Sequence, residues 1–325
     1  IIPAYNESRV IESKLRNITG WDYPVDKLEV IVASDGSTDH TVQLARAFRS
    51  AMRIRVLAFT ENRGKMFVLN DAVREAAGEI LLFSDAAAML QPDSLRHMVS
   101  NFADPRVGAV CGVYRLRRAS EAQLGVQEDL YWKYETSLKA MESRLSSTIG
   151  AHGPILAIRK NLYPFPSPEV INDDLVIPVR VLAGGHRVIY ETEASAFEEA
   201  SEMTGFQRRV RIMSGNLQQI KEIKGLLWPP QVLSVVFFFS RKILRSFVPM
   251  LLILLAVSNT FLLRDPFYRV TEYCQIAFYA LALVGIRWNL RPGLLRLPYY
   301  FCSVNAAYLW SAWRYAQGTK KVKWE

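Results

Sequence analysis

The sequence has few cysteines and histidines, and this scarcity excludes several classes of protein. Three cysteines occur among 325 residues, at Cys111, Cys274 and Cys302, with no C-x-x-C pair, and there are four histidines in all. Cysteines so far apart indicate neither a disulfide framework nor a zinc site, and they fit a reducing cytosol. The apolar share of 50% excludes a disordered chain.

Acidic residues are scarce in the last hundred positions, and this asymmetry indicates where the chain meets lipid. Residues 1–225 carry 28 Lys and Arg against 28 Asp and Glu, whereas residues 226–325 carry twelve against three. The whole net charge of +9 therefore lies beside long apolar runs. Basic flanks of apolar segments are typical of the cytoplasmic side of membrane proteins, so nucleic acid is not an expected partner.

The apolar runs predict two membrane crossings. Residues 247–263 contain no charge, and residues 267–286 approach the length of about 20 residues that a bilayer crossing needs. Residues 297–313 mix aromatic with polar side chains, which favours an interfacial or re-entrant helix, with a third crossing as the alternative. The interfacial alternative keeps the basic loop 287–296 and the tail 320–323 on the same cytoplasmic side.

Apolar β-branched runs alternate with amphipathic helical stretches along the first part of the chain. The predicted strands are residues 1–2, 28–33, 54–59, 80–83 and 107–113, and the predicted helices are 7–18, 41–48, 65–77 and 94–102. This βαβ series predicts an α/β fold with a mainly parallel sheet flanked by helices. Ligands bind such sheets at the carboxyl ends of the strands.

After residue 120 the pattern changes to a second half. A helix is predicted over residues 123–144, a strand over 155–159 and an amphipathic segment over 175–182. We therefore expect a catalytic domain over 1–225, with a nucleotide-binding half of about 1–115 and an acceptor half of about 116–225. Residues 226–325 are expected to form interfacial and transmembrane helices.

Two strand ends carry polar motifs. The first strand leads into P-A-Y-N-E at residues 3–7, and the second leads into S-D-G-S-T-D at residues 34–39. Taken alone, the second motif could be merely a capped turn. No G-x-G-x-x-G follows the first strand, which excludes a nicotinamide-dependent dehydrogenase on a similar sheet. A pure transporter is excluded because the charge-balanced βα pattern of the first 225 residues has no place in a bilayer.

With these motifs the chain resembles family 2 glycosyltransferases of the GT-A fold. The similar branch is membrane-bound and includes cellulose, hyaluronan and poly-N-acetylglucosamine synthases. The resemblance implies a nucleotide-sugar donor, with a UDP-sugar expected, held at the first two strand ends by Ala4, Glu7 and Asp35. In N-R-G-K, residues 62–65, the glycine allows a tight approach and Lys65 would face the diphosphate, a solvated lysine being the alternative.

The fourth strand leads into S-D-A-A-A at residues 84–88, where the similar enzymes have D-x-D or D-A-N. The resemblance implies that Asp85 contacts the ribose or binds Mg²⁺ or Mn²⁺, the ion that takes up charge on the leaving diphosphate. The second ligand position is Ala87, whose methyl group cannot coordinate a metal. Another group would have to complete the site, and His152 is a remote candidate, although a lone histidine is more often structural.

Two further motifs are expected on the acceptor side. I-N-D-D-L, residues 171–175, stands where the synthases carry T-E-D. There Asp174 would be the base that deprotonates the acceptor, Asp173 would raise its proton affinity, and a helix N-cap is the alternative reading. The loop G-A-H-G-P, residues 150–154, resembles the acceptor-side loop, with Gly153 allowing a sugar close to the backbone.

Residues 206–212 resemble the Q-x-x-R-W motif of the synthases. In the best register Arg208 replaces Gln, Arg211 matches Arg and Ile212 replaces Trp. Arginines three apart on a helix could clamp a diphosphate, and the alternative is a solvated basic helix near anionic lipid. Without the tryptophan, processive polymerisation is not implied.

These features lead to two hypotheses. The first is a multi-pass enzyme of the inner or plasma membrane with a cytoplasmic catalytic domain. It would transfer sugar with inversion to a glycan or lipid-linked acceptor, in polysaccharide or cell-envelope glycan synthesis. The second is a non-catalytic subunit that binds nucleotide or glycan, which Ala87 supports. Because relatives often carry a membrane segment before this domain, we expect another one before Ile1.

Overall fold

The computed structural model describes residues 1–117, 126–199, 206–228, 230–287 and 297–317. In this part, the strands are Ile2–Ala4 (β1), Glu29–Asp35 (β2), Arg53–Phe59 (β3), Ile80–Phe83 (β4), Met89–Leu90 (β5), Val107–Arg117 (β6), Leu156–Arg159 (β7) and Arg187–Glu199 (β8). The α-helices are Ile11–Thr19 (α1), Thr41–Ala47 (α2), Lys65–Glu75 (α3), Ser94–Ser100 (α4), Val126–Leu145 (α5), Asp173–Ala183 (α6), Phe206–Gln218 (α7), Lys224–Leu227 (α8), Val232–Phe238 (α9), Leu244–Phe261 (α10), Pro266–Arg287 (α11) and Leu297–Ala316 (α12).

The strands form two sheets that meet at β1 and β4. One sheet has the order β1-β2-β3 and is parallel throughout, and the other has the order β4-β7-β6-β8-β5. The Ile1 ammonium donates to the Leu82 carbonyl (2.8 Å), and the Ser84 amide donates to the Ile1 carbonyl (3.1 Å). This pattern sets β4 beside β1 in the same direction. The carboxyl ends of β1, β2 and β4 therefore lie at one edge.

The prediction of a mainly parallel sheet is wrong for the second sheet, which is mixed. β7 lies between β4 and β6 and runs antiparallel to both, β5 runs antiparallel to β8, and only the β6 and β8 pair is parallel. A helix that joins two strands makes them parallel only when the chain crosses back to the end of the sheet at which the first strand began. After α5 the chain instead enters β7 at the end of the sheet where β6 finishes, so β7 runs antiparallel to β6.

The apolar periodicity of the helices explains how they pack. On α1, the residues Ile11, Leu15 and Ile18 recur at helical spacing, and all three are buried in a small core against the parallel sheet. The largest core cluster joins α3, which packs on β1 and β2, to α6 and the second sheet. This cluster also includes Phe238 of α9, which is fully buried. The predicted domain boundary at residue 225 stays a prediction.

One helix in the described part of the chain is long and apolar enough to cross a membrane. It covers Val232–Phe261, in which a π-helical turn at Phe239–Ile243 joins α9 to α10. The second predicted crossing, residues 267–286, falls on α11, where Arg269 and Glu272 dilute the apolar character. A multi-pass arrangement is therefore not supported, and the predicted C-terminal membrane helices are not confirmed as a group. The loop 288–296 and the tail 318–325 lie outside the described residues.

The last helix, α12, packs on α7. The Ser311 hydroxyl donates to the Val210 carbonyl of α7 (2.8 Å), and the Asn216 amide donates to the Tyr308 hydroxyl (2.9 Å). On the opposite side of α12, large apolar side chains such as Trp310 and Trp313 are exposed. Whether this helix lies at a membrane interface stays a prediction.

Candidate active site

The loops after β1 and β2 are bound to each other at the carboxyl edge of the parallel sheet. Three consecutive backbone N–H groups of the first loop donate to side chains of the second: Asn6 to Ser37 Oγ (3.1 Å), Glu7 to Thr41 Oγ1 (2.8 Å) and Ser8 to Asp39 Oδ2 (3.0 Å). Asn6 adopts a left-handed φ of 56°, and its Oδ1 accepts the Thr38 amide (2.8 Å). The two motifs predicted to hold the nucleoside thus form one unit.

Asp35 holds the N-R-G-K loop, residues 62–65, in place. It is fully buried at the end of β2, and its two carboxylate oxygens accept the backbone N–H groups of Arg63 and Gly64, each at 2.8 Å. Gly36 follows with a φ of 70°, and a Cβ atom there would lie 2.6 Å from the Asn62 nitrogen. The approach of the N-R-G-K loop to β2 therefore requires glycine. The direct contact of Asp35 with a donor stays a prediction.

Lys65 connects the Asp85 loop to the start of α6. It is the first residue of α3, and its ammonium lies 3.1 Å from Asp85 Oδ1 and 3.3 Å from Asp173 Oδ2. Burial disfavours the charge, but the attraction of Asp173 and then Asp85 outweighs it and raises the pKa of Lys65. The lysine is therefore cationic, and its side chain stays 25% exposed.

Asp174 and Gly153 lie beside this ion pair. A Cβ atom on Gly153 would stand 3.6 Å from Lys65 Nζ and 3.8 Å from Asp174 Cβ, so the glycine lines the space between them. Burial and then the neighbouring Asp173 raise the pKa of Asp174. A carboxylate with raised proton affinity suits a base, and within the described residues no hydrogen bond or ion pair engages its side chain.

The start of α6 is bound to α7 by a polar network. The Asn172 side-chain amide donates to Asn216 Oδ1 (3.0 Å), and the Ile171 backbone N–H donates to Gln218 Oε1 (3.2 Å). Position 215 must be glycine for Asn172 to fit, because a Cβ atom there would lie 2.4 Å from Asn172 Oδ1. The α7 members of this network, Gly215, Asn216 and Gln218, were not predicted from the sequence.

The predicted arginines belong to α7. Arg211 is half-buried on this helix, one turn before the segment that bonds Asn172. The side chain of Arg208 lies outside the described part of the structure. The predicted clamp of the diphosphate by these two residues therefore stays a prediction.

His152 occupies a buried pocket behind Gly153. Its Nε2 lies 3.3 Å from the Tyr190 hydroxyl, and the Lys139 ammonium lies about as close to the ring while donating to the Ala151 carbonyl (2.8 Å). Burial and then Lys139 lower the pKa of His152, which is therefore neutral. The adjacent ammonium makes this ring a poor site for a metal cation.

Two ionisable residues near the Asp85 loop have strongly altered pKa values. Burial, followed by repulsion from Asp85, Glu198 and Asp39, raises the pKa of Glu7 to about 7. Burial lowers the pKa of Lys14 to about 7, against the opposing attraction of Asp85 and Glu198. Acidic groups thus lie close around Glu7, and Lys14 lies on the buried side of the Asp85 loop.

Lys14 is the residue that sequence reasoning missed most clearly. It is fully buried, and its ammonium donates to Ser84 Oγ (2.7 Å) and to the Ala88 carbonyl, the two ends of the S-D-A-A-A loop. The available signal was a lysine within the apolar stripe of α1, between Ile11 and Leu15. A buried lysine in such a stripe needs partners, and here they belong to the Asp85 loop.

The residues around Asp85 do not fit a divalent cation held by the protein alone. Within the described ranges, no group of three or more His, Cys, Asp or Glu residues could hold a metal ion. Asp85 is the only acidic residue in its loop, and its carboxylate is engaged by Lys65. Ala87 provides no ligand atom, and Mg²⁺ and Mn²⁺ prefer several oxygen ligands.

The sequence matches a known family over its first half. Residues 1–163, half of the chain, match the model of the family described as glycosyl transferase family 2. The chain belongs to glycosyl transferase family 2. The resemblance inferred from the strand-end motifs is therefore confirmed.

Curated relatives of this family 2 glycosyltransferase include polysaccharide synthases. The chain is 27% identical over 221 residues to the poly-beta-1,6-N-acetyl-D-glucosamine synthase of Staphylococcus aureus, covering 66% of this chain and 53% of the relative. The synthase of the same name from Staphylococcus epidermidis is 24% identical over 221 residues, with the same coverage. The chain thus spans about half the length of the curated relatives it matches.

Solved structures confirm the GT-A fold. The mannosyltransferase PcManGT from Pyrobaculum calidifontis, in complex with GDP-Man and Mn²⁺, superposes with a TM-score of 0.71 at 25% identity. This match covers 96% of the family 2 chain and 85% of the mannosyltransferase. GalNAc-T7 with UDP, GalNAc and Mn²⁺ matches with a TM-score of 0.50 at 11% identity, over 61% of this chain and 42% of that chain, which shows the fold alone.

Proposed function

We propose that the protein is a membrane-bound, inverting glycosyltransferase. It would transfer a sugar from a nucleotide-sugar donor to a glycan or lipid-linked acceptor, in the synthesis of a polysaccharide or cell-envelope glycan. The observation that carries this proposal is the position of Lys65, whose ammonium contacts Asp85 on the donor side and Asp173 on the acceptor side. A sugar that leaves one side and joins the other would pass this point.

The donor would occupy the joined loops after β1 and β2. Ala4, Glu7 and Asp35 would surround the nucleoside, and the diphosphate would lie against Lys65. Lys65 begins a helix of 11 residues, and the N-terminus of a helix attracts phosphate through its free N–H groups. Arg211, with Arg208, would approach the diphosphate from α7.

The acceptor would enter beside Gly153 and Asp174. Its hydroxyl oxygen attacks the anomeric carbon from the face opposite the diphosphate, and its proton passes to a carboxylate oxygen of Asp174. The bond from the anomeric carbon to the diphosphate breaks, and its electron pair stays on the departing oxygen. Asp173 supports the base through the repulsion that raises the pKa of Asp174.

Membrane attachment would begin at α10. The large side chains Leu251, Leu254 and Phe261 of this helix are exposed, as lipid-facing residues would be. Arg245, whose side chain is 45% exposed, precedes this surface at the position of a basic flank on the cytoplasmic side. Membrane lipid is thus a proposed partner, with the catalytic domain facing the cytoplasm.

The non-catalytic alternative depends on Ala87. A subunit that binds a nucleotide or a glycan without turnover would not need the second metal ligand. Against this alternative, the base candidate Asp174 keeps a raised pKa and lies beside the acceptor-side glycine. A subunit without turnover has no need for such a carboxylate.

The proposal is tested by nucleoside diphosphate release from purified protein in detergent, with a panel of UDP- and GDP-sugars. Asp174→Asn should lower release by about 100-fold or more, because loss of a general base costs roughly 10²–10⁴ in rate. Asp26→Asn, which changes an exposed aspartate before β2, is the matched control and should behave as the wild type. An Asp174→Asn variant with wild-type release would contradict the assignment of the base.

A further inference from the structure

The Asp85 loop is held from within by a buried lysine. Ser84 and Ala88 flank the three residues that stand at the metal position of similar enzymes, and both bond the ammonium of Lys14. Lys14 is fully buried, and the Trp21 ring lies 5.9 Å from its nitrogen. The loop therefore keeps its shape without ligands gathered around an external ion.

Lys65 places a second ammonium on the open side of the same loop. An ammonium has three N–H donors, and Lys65 directs two of them toward Asp85 and Asp173. The third donor remains, and the side chain is 25% exposed, so a phosphate oxygen can reach it. A divalent cation at Asp85 would have to displace this ammonium from the carboxylate.

We propose that Lys65 supplies the positive charge that a divalent cation supplies to the leaving diphosphate in transferases with two acidic ligands in this loop. This inference rests on the proposed transfer reaction and assigns its leaving-group chemistry. When the bond to the anomeric carbon breaks, the electron pair stays on the diphosphate, and the Lys65 ammonium stabilises the added charge. Donor binding and turnover then proceed without a divalent cation.

The first test is nucleotide affinity, which does not depend on turnover. UDP and GDP are titrated by calorimetry into the protein in detergent, once with Mn²⁺ and once with a chelator. We expect affinities within about twofold of each other, whereas Lys65→Met should lower affinity about tenfold or more under both conditions. Lys27→Met, at an exposed lysine, is the control and should bind as the wild type.

The second test restores the missing ligand. Ala87→Asp should bind Mn²⁺ in the presence of UDP or GDP, seen by electron paramagnetic resonance as a protein-bound ion, and its turnover should become dependent on Mn²⁺. The wild type and Ala87→Asn should show only the Mn²⁺ that binds free nucleotide.

The outcomes separate this inference from the proposed reaction. If a chelator lowers wild-type affinity or turnover about tenfold and Mn²⁺ restores it, the inference is wrong and the transferase proposal stands. If UDP or GDP binds without metal through Lys65, but no donor is turned over under any condition, Lys65 remains a metal-independent ligand of the diphosphate, whereas its leaving-group role and the transfer reaction both fail.

Discussion

Glu7 offers a quantitative test of the electrostatics at the donor loops. Burial and the nearby charges of Asp85, Glu198 and Asp39 raise its pKa from the usual 4.5 to about 7. A shift of this size corresponds to roughly 3 kcal/mol at full strength. Solvent reaches part of the side chain, and its screening reduces the effect to about 1–2 kcal/mol.

The sign follows from the direction of this change. The folded protein holds the Glu7 proton more tightly than the unfolded chain does. The resulting stability is complete below about pH 4.5 and is lost as the pH rises through 7. Glu7→Gln removes the ionisable group, so the variant should be more stable than the wild type by about 1–2 kcal/mol at pH 8.

Thermal unfolding in detergent measures this difference. We expect the midpoint of Glu7→Gln to exceed that of the wild type by roughly 2–6 °C at pH 8, and the gap to close toward pH 5. Glu12→Gln changes an exposed glutamate on α1 and should show no gap that grows with pH. Equal midpoints at pH 8, or a less stable Glu7→Gln, would refute the crowding of acidic groups around Glu7.

Three further predictions concern the loop, the helix junction and the base. Gly36→Ala should destabilise the protein more than Gly185→Ala in thermal melts, because both have positive φ but only Gly36 would place a Cβ against backbone; equal losses would contradict this. Arg241→Met should cost about 3–5 kcal/mol in the same assay, since it leaves the buried Glu142 without a cation and Glu135 with Arg245 alone, and an unchanged midpoint would count against a buried network. Turnover should rise with pH as Asp174 ionises, and Asp173→Asn should move this rise to lower pH; a move to higher pH would exclude the repulsion.

The strand-end motifs could be predicted because their signals are local. Apolar runs followed by P-A-Y-N-E and S-D-G-S-T-D mark β1 and β2, and the parallel direction brings such ends together. The second sheet was harder to predict from the sequence. The apolar run of β8 is only three residues long, V-I-Y at 188–190, and E-T-E follows it, so periodicity did not reveal the strand.

The contacts that define the site join residues far apart in the sequence. Lys65 and Asp173 are separated by more than one hundred positions, as are Arg241 and Glu135, and no local pattern connects them. Lys14 could have been noticed as a charge in an apolar stripe, but its partners Ser84 and Ala88 depend on the packing of α1 against the segment that joins β4 to β5. Tertiary structure, rather than motif spacing, determines these pairs.

The central claim is that donor and acceptor sides meet at Lys65, with separate roles for Lys65 and Asp174. Donor affinity and nucleoside diphosphate release, measured side by side on Lys65→Met and Asp174→Asn, test it most directly. The account predicts that both variants lose release, that Lys65→Met weakens donor binding about tenfold or more, and that Asp174→Asn binds donor within about twofold of the wild type. Equal losses of donor affinity in both variants, or full release by either one, would contradict it.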